Sequence, residues 1–542
     1  MNAKQRIFVV RRDYNQWVNN QTLEDYALRF TAKKGRRWSL ARVANTALGA
    51  ISFLALEAIG GAITLNYGFS NAMAAVLVVG LIIFFTSIPI CYYAAKYGVD
   101  IDLLTRGAGF GYIGSTATSL IYASFTFIFF ALEAAIMAVA LELLLGIPLV
   151  YGYVISSVVV IPMVTHGITF ISRFQLWSQP LWILLQLTPF AFILYHDMAM
   201  VSAWPSYTGS PQNMSSPQNM SSPQNSINLA YFGAAASVLF ALIAQIGEQV
   251  DFLRFLPPKT AENRYRWWTA LLAAGPGWIV IGTLKIVAGS LLAFIALQHA
   301  IPATSAADPT SMYRVAFAYL TDNPQTALIL SAVFVIISQL KINVTNAYAG
   351  SIAWSNFFSR LTHSHPGRVV WLVFNVAIAL MLMELGIYQA FEHTLGVYAI
   401  IAVGWVGALV ADLIINKPLG LSPPQIEFKR AHLYDINPVG VGAMVLSSII
   451  GILCYTGLAG EAAKALSHFV TLGSAFVLAP MIAYLTDGRY YIARQPIPIH
   501  THAADTECII CQNNYEPEDM AFCPAYDGAI CSLCCSLDAR CQ

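Results

Sequence analysis

The chain has 542 residues, of which 57% are hydrophobic and 11% charged, with a formal net charge of +1 and a mean hydropathy of +0.61. A soluble globular protein carries about 25% charged residues, so this composition excludes an ordinary water-soluble enzyme and implies a chain that crosses a bilayer many times. A charge balance this close to neutral also offers no basic surface for nucleic acid.

Residues 1–42 are polar and basic, with no short apolar core followed by a small-residue cleavage site, so they read as a cytoplasmic segment rather than a signal peptide. Apolar runs of about 20 residues then predict twelve spans. They centre on 43–65, 70–95, 113–145, 149–170, 174–195, 229–250, 268–298, 325–350, 369–390, 392–415, 438–458 and 464–486. With both termini inside, every Lys and Arg falls in an inner segment except Arg314 and Lys464 in outer loops and Lys285 and Lys341 within spans. That bias is the positive-inside pattern, and an odd number of spans would scramble it. The expected domains are therefore a segment 1–42, a membrane domain 43–487 and a tail 488–542. Between spans five and six, residues 210–226 repeat the unit SPQNMS, which lacks the apolar residues to fold and is expected to be disordered. Its two sequons, at Asn213 and Asn219, read as by-products of repeat expansion.

Glu57, Glu133, Glu248 and Lys341 each interrupt an apolar segment. A charge at that depth costs roughly 3 kcal/mol or more, so it is expected to pair with an opposite charge or to face a polar cavity. Lys341 is the only charge in 326–350, and Glu57 is its expected partner.

Two motifs carry a family resemblance. Span six closes with Glu248-Gln-Val-Asp251-Phe252-Leu-Arg254-Phe255, and span eight carries Asn343-Val-Thr-Asn346-Ala-Tyr348. With Tyr-Asp-Ile-Asn-Pro at 434–438, these resemble the nucleobase–cation symporter family, permeases of cytosine, purines, uracil, allantoin, hydantoins and thiamine. The resemblance runs through residues 25–490. It implies an all-α, LeuT-like fold in which spans 1–5 and 6–10 form inverted repeats and two helices are added, with spans one and six broken at the midplane. Gly60-Gly61 is the expected break in span one, and Gly233 to Ser237 or Gly247 in span six, because glycine frees the backbone. Glycines equally let spanning helices pack closely.

The same resemblance implies an aromatic residue and an amide one turn apart in span three, stacking on a flat base and reading its edge. Phe129 and Glu133 stand there, so the amide has become a carboxylate, which suits an amino-bearing or cationic ligand, or a proton. Gln245, Glu248, Asn343 and Asn346 complete the expected substrate contacts. In sodium-coupled members hydroxyl side chains precede the first asparagine of span eight. Here those positions are Lys341 and Ile342, neither of which ligates sodium. The expectation is a tethered ammonium bridging spans one and eight, no Na+, and room for a proton cycle through Lys341.

After the last span come Cys508-x-x-Cys511 and, 19 residues on, Cys531-x-x-Cys534, a spacing that suits a four-thiolate Zn2+ site in a reducing cytoplasm. Cys523 is the competing ligand, and His500 and His502 lie further off; the alternative is a palmitoylated or reactive cysteine cluster beside the membrane. The leading function is a secondary transporter moving a small nitrogenous heterocycle by alternating access, most simply in a bacterial inner membrane. The alternative is a transporter-like sensor signalling through the tail to an output domain, such as a histidine kinase, beyond residue 542. No constellation for catalysis occurs within the spans.

Overall fold

The structure, a computed structural model, describes residues 12–20, 24–210, 226–386, 391–496 and 505–538. The repeat at 211–225 with both sequons, together with His500, His502 and Cys541, lies outside the described residues.

Span one is split into α1 (Leu40–Gly49) and α2 (Ala55–Tyr67), and is followed by α3 (Phe69–Tyr97) and the long α4 (Ser115–Leu145). Next come α5 (Leu149–Val158), its continuation α6 (Val160–Thr165) and α7 (Gly167–His196). Span six is again split, into α8 (Leu229–Phe240) and α9 (Ile246–Leu253), joined by a tight 3-10 stretch at Ala241–Gln245. Then follow α10 (Arg264–Ala274), α11 (Trp278–Gln298), α12 (Pro309–Ala318), the 39-residue α13 (Pro324–Thr362) and α14 (Arg368–Glu384). The last spans are α15 (Phe391–Ala411), α16 (Pro438–Tyr455) and α17 (Ser467–Leu485).

Among the described residues, nine helices are long and apolar enough to cross a membrane. The other three expected spans are the broken α1–α2, the short apolar Leu149–Thr165 and the 17-residue α14.

The split helices are laid antiparallel: α1 packs beside α9, and α2 beside α8. Spans one and six, which correspond in the two halves, thus run side by side in opposite directions, as inverted repeats require. The most extensive interhelical contact joins α4 to α13, so the two helices that carry most candidate site residues form the spine against which the broken pair rests. The helices α15, α16 and α17 pack on one another, and α15 also lies against the Ala241–Gln245 break of span six.

The tail folds as two antiparallel hairpins, β1 (Thr506–Glu507) with β2 (Asn514–Tyr515) and β3 (Met520–Cys523) with β4 (Gly528–Cys531), followed by α18 (Ser532–Leu537). It lies against the N-terminal segment: Val18 and Leu28 share one apolar cluster with Ile510, Leu533 and the tail cysteines.

Candidate ligand site at the broken helices

The break in span one is at residues 50–54, ahead of the glycine pair expected to make it. Helices leave their first N–H groups without partners, and a carboxylate is the strongest acceptor for them. Glu133 of α4 supplies it: its two oxygens accept from the Leu54 N–H at 3.3 Å and the Ala55 N–H at 3.2 Å. Ser52 Oγ, inside the break, donates to the Ser338 carbonyl of α13 at 2.9 Å. A buried acid on the neighbouring helix, rather than backbone freedom at glycine, stabilises the interruption.

Gly60 and Gly61 are instead helical, and serve packing. A Cβ on Gly60 would stand 1.9 Å from the Ile286 carbonyl oxygen, and one on Gly289 would stand 2.2 Å from that of Glu57. The two backbones of α2 and α11 therefore touch, as small residues allow between spanning helices. In span six the expected glycines also pack: Gly233 against the Ala465 backbone and Gly247 against the Tyr122 ring. The helix distorts between them, at Ala241–Gln245.

This contact decides which cation Glu57 meets. Lys285 lies one turn before Gly289 on α11, and its Nζ donates to Glu57 Oε1 at 2.6 Å. The Tyr313 hydroxyl donates to the same oxygen at 3.1 Å, Gln186 Nε2 donates to Tyr313 at 2.7 Å, and Lys285 also reaches the Ser52 carbonyl and Gln186 Oε1 at 3.5 Å. Lys341 is not the partner of Glu57. It points toward α7, donating to the Gln175 carbonyl at 3.1 Å and to Ser178 Oγ at 3.0 Å, while Gln175 Nε2 donates back to the Lys341 carbonyl at 2.7 Å. Among the described residues no acid lies within salt-bridge distance of it. The ammonium beside the span-one break is thus that of Lys285, which sequence reasoning noticed inside a span but left unpaired. Gln186 and Tyr313 it missed; a lone amide in an apolar run was the available signal for Gln186.

The remaining candidates gather on α4, α9 and α13. Phe129 is buried with its ring 4.4 Å from that of Phe125. Gln245 Nε2 donates to Glu248 Oε2 at 2.7 Å, and Asn346 Nδ2 approaches Asn343 Oδ1 at 3.4 Å. Their other polar atoms have no protein partner: Glu248 Oε1, Asn343 Nδ2 and Asn346 Oδ1, joined by both amide atoms of Gln249. All four side chains are fully buried. Gln245, Glu248 and Gln249 share one helical face by spacing, and α9 packs on α13. Gln249 was not expected, although its place beside Glu248 on the same turn would have identified it.

The span-six motif lies toward the end of the bundle that carries both termini. Asp251 accepts from the Tyr122 hydroxyl at 3.0 Å, and Arg254 donates to the Tyr348 hydroxyl at 2.9 Å and stands 4.0 Å from Asp100. Phe252 is buried, and Phe255 stacks under Trp38 at 5.6 Å with Tyr26 at its edge. These residues bind α9 to α4, α13 and the N-terminal segment.

In the tail the sulfurs of Cys508, Cys511, Cys531 and Cys534 all lie within 4.8 Å of one another, and Cys523 is outside that group. Four thiolates around zinc at about 2.3 Å would stand roughly 3.8 Å apart, so the cluster fits the ion.

No protein-family model matches the sequence, and no curated protein matches it by sequence. Solved structures do match. Mhp1, a nucleobase-cation-symport-1 family transporter in a closed conformation with bromovinylhydantoin bound, aligns over 86% of this chain and 97% of its own at a TM-score of 0.62 and 16% identity. Its inward-facing conformation aligns over 87% and 97% at 0.58 and 16%. A Na+-coupled sialic acid symporter in a substrate-bound, outward-open state aligns over 86% and 94% at 0.54 and 15%. The chain has the fold that the nucleobase-cation-symport-1 transporter Mhp1 displays.

Proposed function

We propose that the protein is a secondary transporter that moves a small nitrogenous heterocycle bearing an amino or cationic group across the membrane by alternating access. The observation that carries this reading is the set of unpaired, fully buried polar atoms on α9 and α13: Glu248 Oε1, Asn343 Nδ2, Asn346 Oδ1 and the Gln249 amide. Each unmet group is unfavourable by about 1–3 kcal/mol, so a ligand or water is needed there. The unmet acceptor atoms, three against two donor nitrogens, include the Glu248 carboxyl oxygen. Such a site favours donors and positive charge. Glu133 already satisfies the free N–H groups of α2, so a ligand carboxylate would find that helix end taken.

Coupling is read as proton-driven and sodium-independent, in a cytoplasmic-termini orientation. Lys341 and Ile342 stand where the family resemblance implies the hydroxyls of a sodium site, and Lys285 places an ammonium 3.5 Å from the Ser52 carbonyl at the break. Radiolabelled bases and heterocyclic amines should accumulate in proteoliposomes under a pH gradient with sodium absent. Glu248→Gln should lower uptake of cationic members at least tenfold and spare neutral ones. Accumulation that requires sodium would overturn the coupling assignment. Ligand binding without uptake would instead favour the sensor.

A further inference from the structure

The tail is too small to hold itself together. Residues 505–538 form four short strands and one turn-and-a-half of helix, and chains below about 40 residues usually need a metal or disulfides to fold. The four sulfurs are free thiols rather than disulfides. Four negative sulfurs held this close would repel one another unless a cation sat among them. The surroundings are those of an anionic metal–thiolate centre. The Cys531 N–H points to Cys508 Sγ at 3.3 Å and the Cys534 N–H to Cys531 Sγ at 3.4 Å. The Tyr515 hydroxyl is 3.6 Å from Cys511 Sγ, and the Arg29 guanidinium lies 3.7 Å above the Tyr515 ring.

One contact to a sulfur comes from the other end of the chain: the Tyr14 hydroxyl is 3.0 Å from Cys534 Sγ. Around it the N-terminal segment is fastened at many points. The Arg12 N–H donates to the Ile510 carbonyl at 3.1 Å and its guanidinium to the Leu537 carbonyl at 3.0 Å. Arg29 pairs with Asp519 at 2.5 Å, and the Lys33 and Lys34 N–H groups donate to the Glu516 carboxylate at 2.9 and 3.1 Å. On its other side the segment grips the bundle, where Glu24 accepts from the Arg368 N–H at 3.0 Å and from His365 at 2.9 Å. Five residues after Lys34, Ser39 caps α1, the half-helix separated from α2 by the break.

We propose that zinc bound by Cys508, Cys511, Cys531 and Cys534 works as a latch between the two ends of the chain. The ion folds the tail, Tyr14 donates to the Cys534 sulfur as an outer partner, and the folded tail holds residues 12–20 and 24–34, and with them α1, against the bundle. Losing the ion releases α1 at that end, so metal occupancy sets how readily this side opens. The latch does not depend on what is transported, and its test needs no transport.

The test uses the reduced full-length chain in nanodiscs. Metal analysis should return one zinc per chain, and cobalt in its place should give the intense absorption of tetrahedral thiolate coordination. Chelation should raise amide hydrogen exchange in residues 12–20, 24–34 and 40–49 at least tenfold and leave α4 and residues 326–350 of α13 unchanged. Tyr14→Phe should keep the zinc yet exchange several-fold faster over 12–20. Cys523→Ser should keep both zinc and protection. Reduced protein without zinc would overturn the site, and zinc-loaded protein whose N-terminal exchange ignores chelation would overturn the latch.

Discussion

Two lysines lie inside the bundle, and their surroundings differ. Lys285 sits between α11 and α2 on a carboxylate, inside a closed ring with Tyr313 and Gln186. Lys341 sits between α13 and α7 on a carbonyl and a hydroxyl, with no acid within salt-bridge distance among the described residues. Both are buried, yet only one has a charge depending on it. Burial of a charge therefore does not reveal how much the fold relies on it; the partner left behind does.

Lys285→Met would test that contrast most severely. It abandons the Glu57 carboxylate in the bundle, and breaking a buried pair this way typically destabilises by about 3–5 kcal/mol. Thermal unfolding in detergent should show a large loss of Tm, much of it regained by adding Glu57→Met, because the double variant buries no charge. If the double variant is as unstable as the single one, the pair is not what stabilises this interface.

A smaller loss, about 2 kcal/mol, is expected for Gly289→Ala, whose new methyl meets the Glu57 backbone at 2.2 Å and must push α2 from α11. Its signature is coupling: combined with Lys285→Met, the two effects should fall short of their sum, since both break one contact. Additivity would detach the glycine from the ion pair.

Lys341→Met should shift stability by no more than about 1 kcal/mol, the net worth of its two hydrogen bonds to neutral groups set against removal of a buried charge. A loss as large as that of Lys285→Met would erase the distinction between the two lysines.

A test read along pH rather than by ranking concerns Asp25, outside the membrane and 3.8 Å from the Arg368 guanidinium. Burial raises its pKa to about 6, against the lowering pull of Arg368 and of the Ile168 N–H it accepts at 2.8 Å. A pKa raised above the unfolded value adds stability that is full below pH ~4 and lost as pH rises through about 6. The Tm of the wild type should therefore fall across that window, relative to a flatter Asp25→Asn. No difference between the two would mean that the Arg368 pair offsets the desolvation of Asp25.

The contrast also shows where sequence reading stopped. Spacing placed Glu133 on the right helix, and its charge marked it as needing a partner. That its partners are the N–H groups of Leu54 and Ala55 depended on how closely α4 and the broken helix approach. Glu57 was paired with the wrong lysine for the same reason. Lys285 and Lys341 are alike along the chain, and only the α2–α11 contact through Gly60 and Gly289 selects between them. The glycines were read first as helix breaks, with packing as the alternative, because φ freedom is a local property, whereas close packing requires knowing the neighbour.

By itself the sequence determined the membrane class, the order of the spans, the resemblance carried by Asp251 to Phe255 and Asn343 to Tyr348, and the four cysteines as a set. Each rests on local composition or short spacing, which survive without a fold. Tertiary structure alone decided where spans one and six break, which cation meets Glu57, which amides are left unpaired, and that Tyr14 reaches Cys534 from 520 residues away. Those depend on backbone approach and the remaining unmet hydrogen bonds, which no stretch of sequence contains until its neighbours are in place.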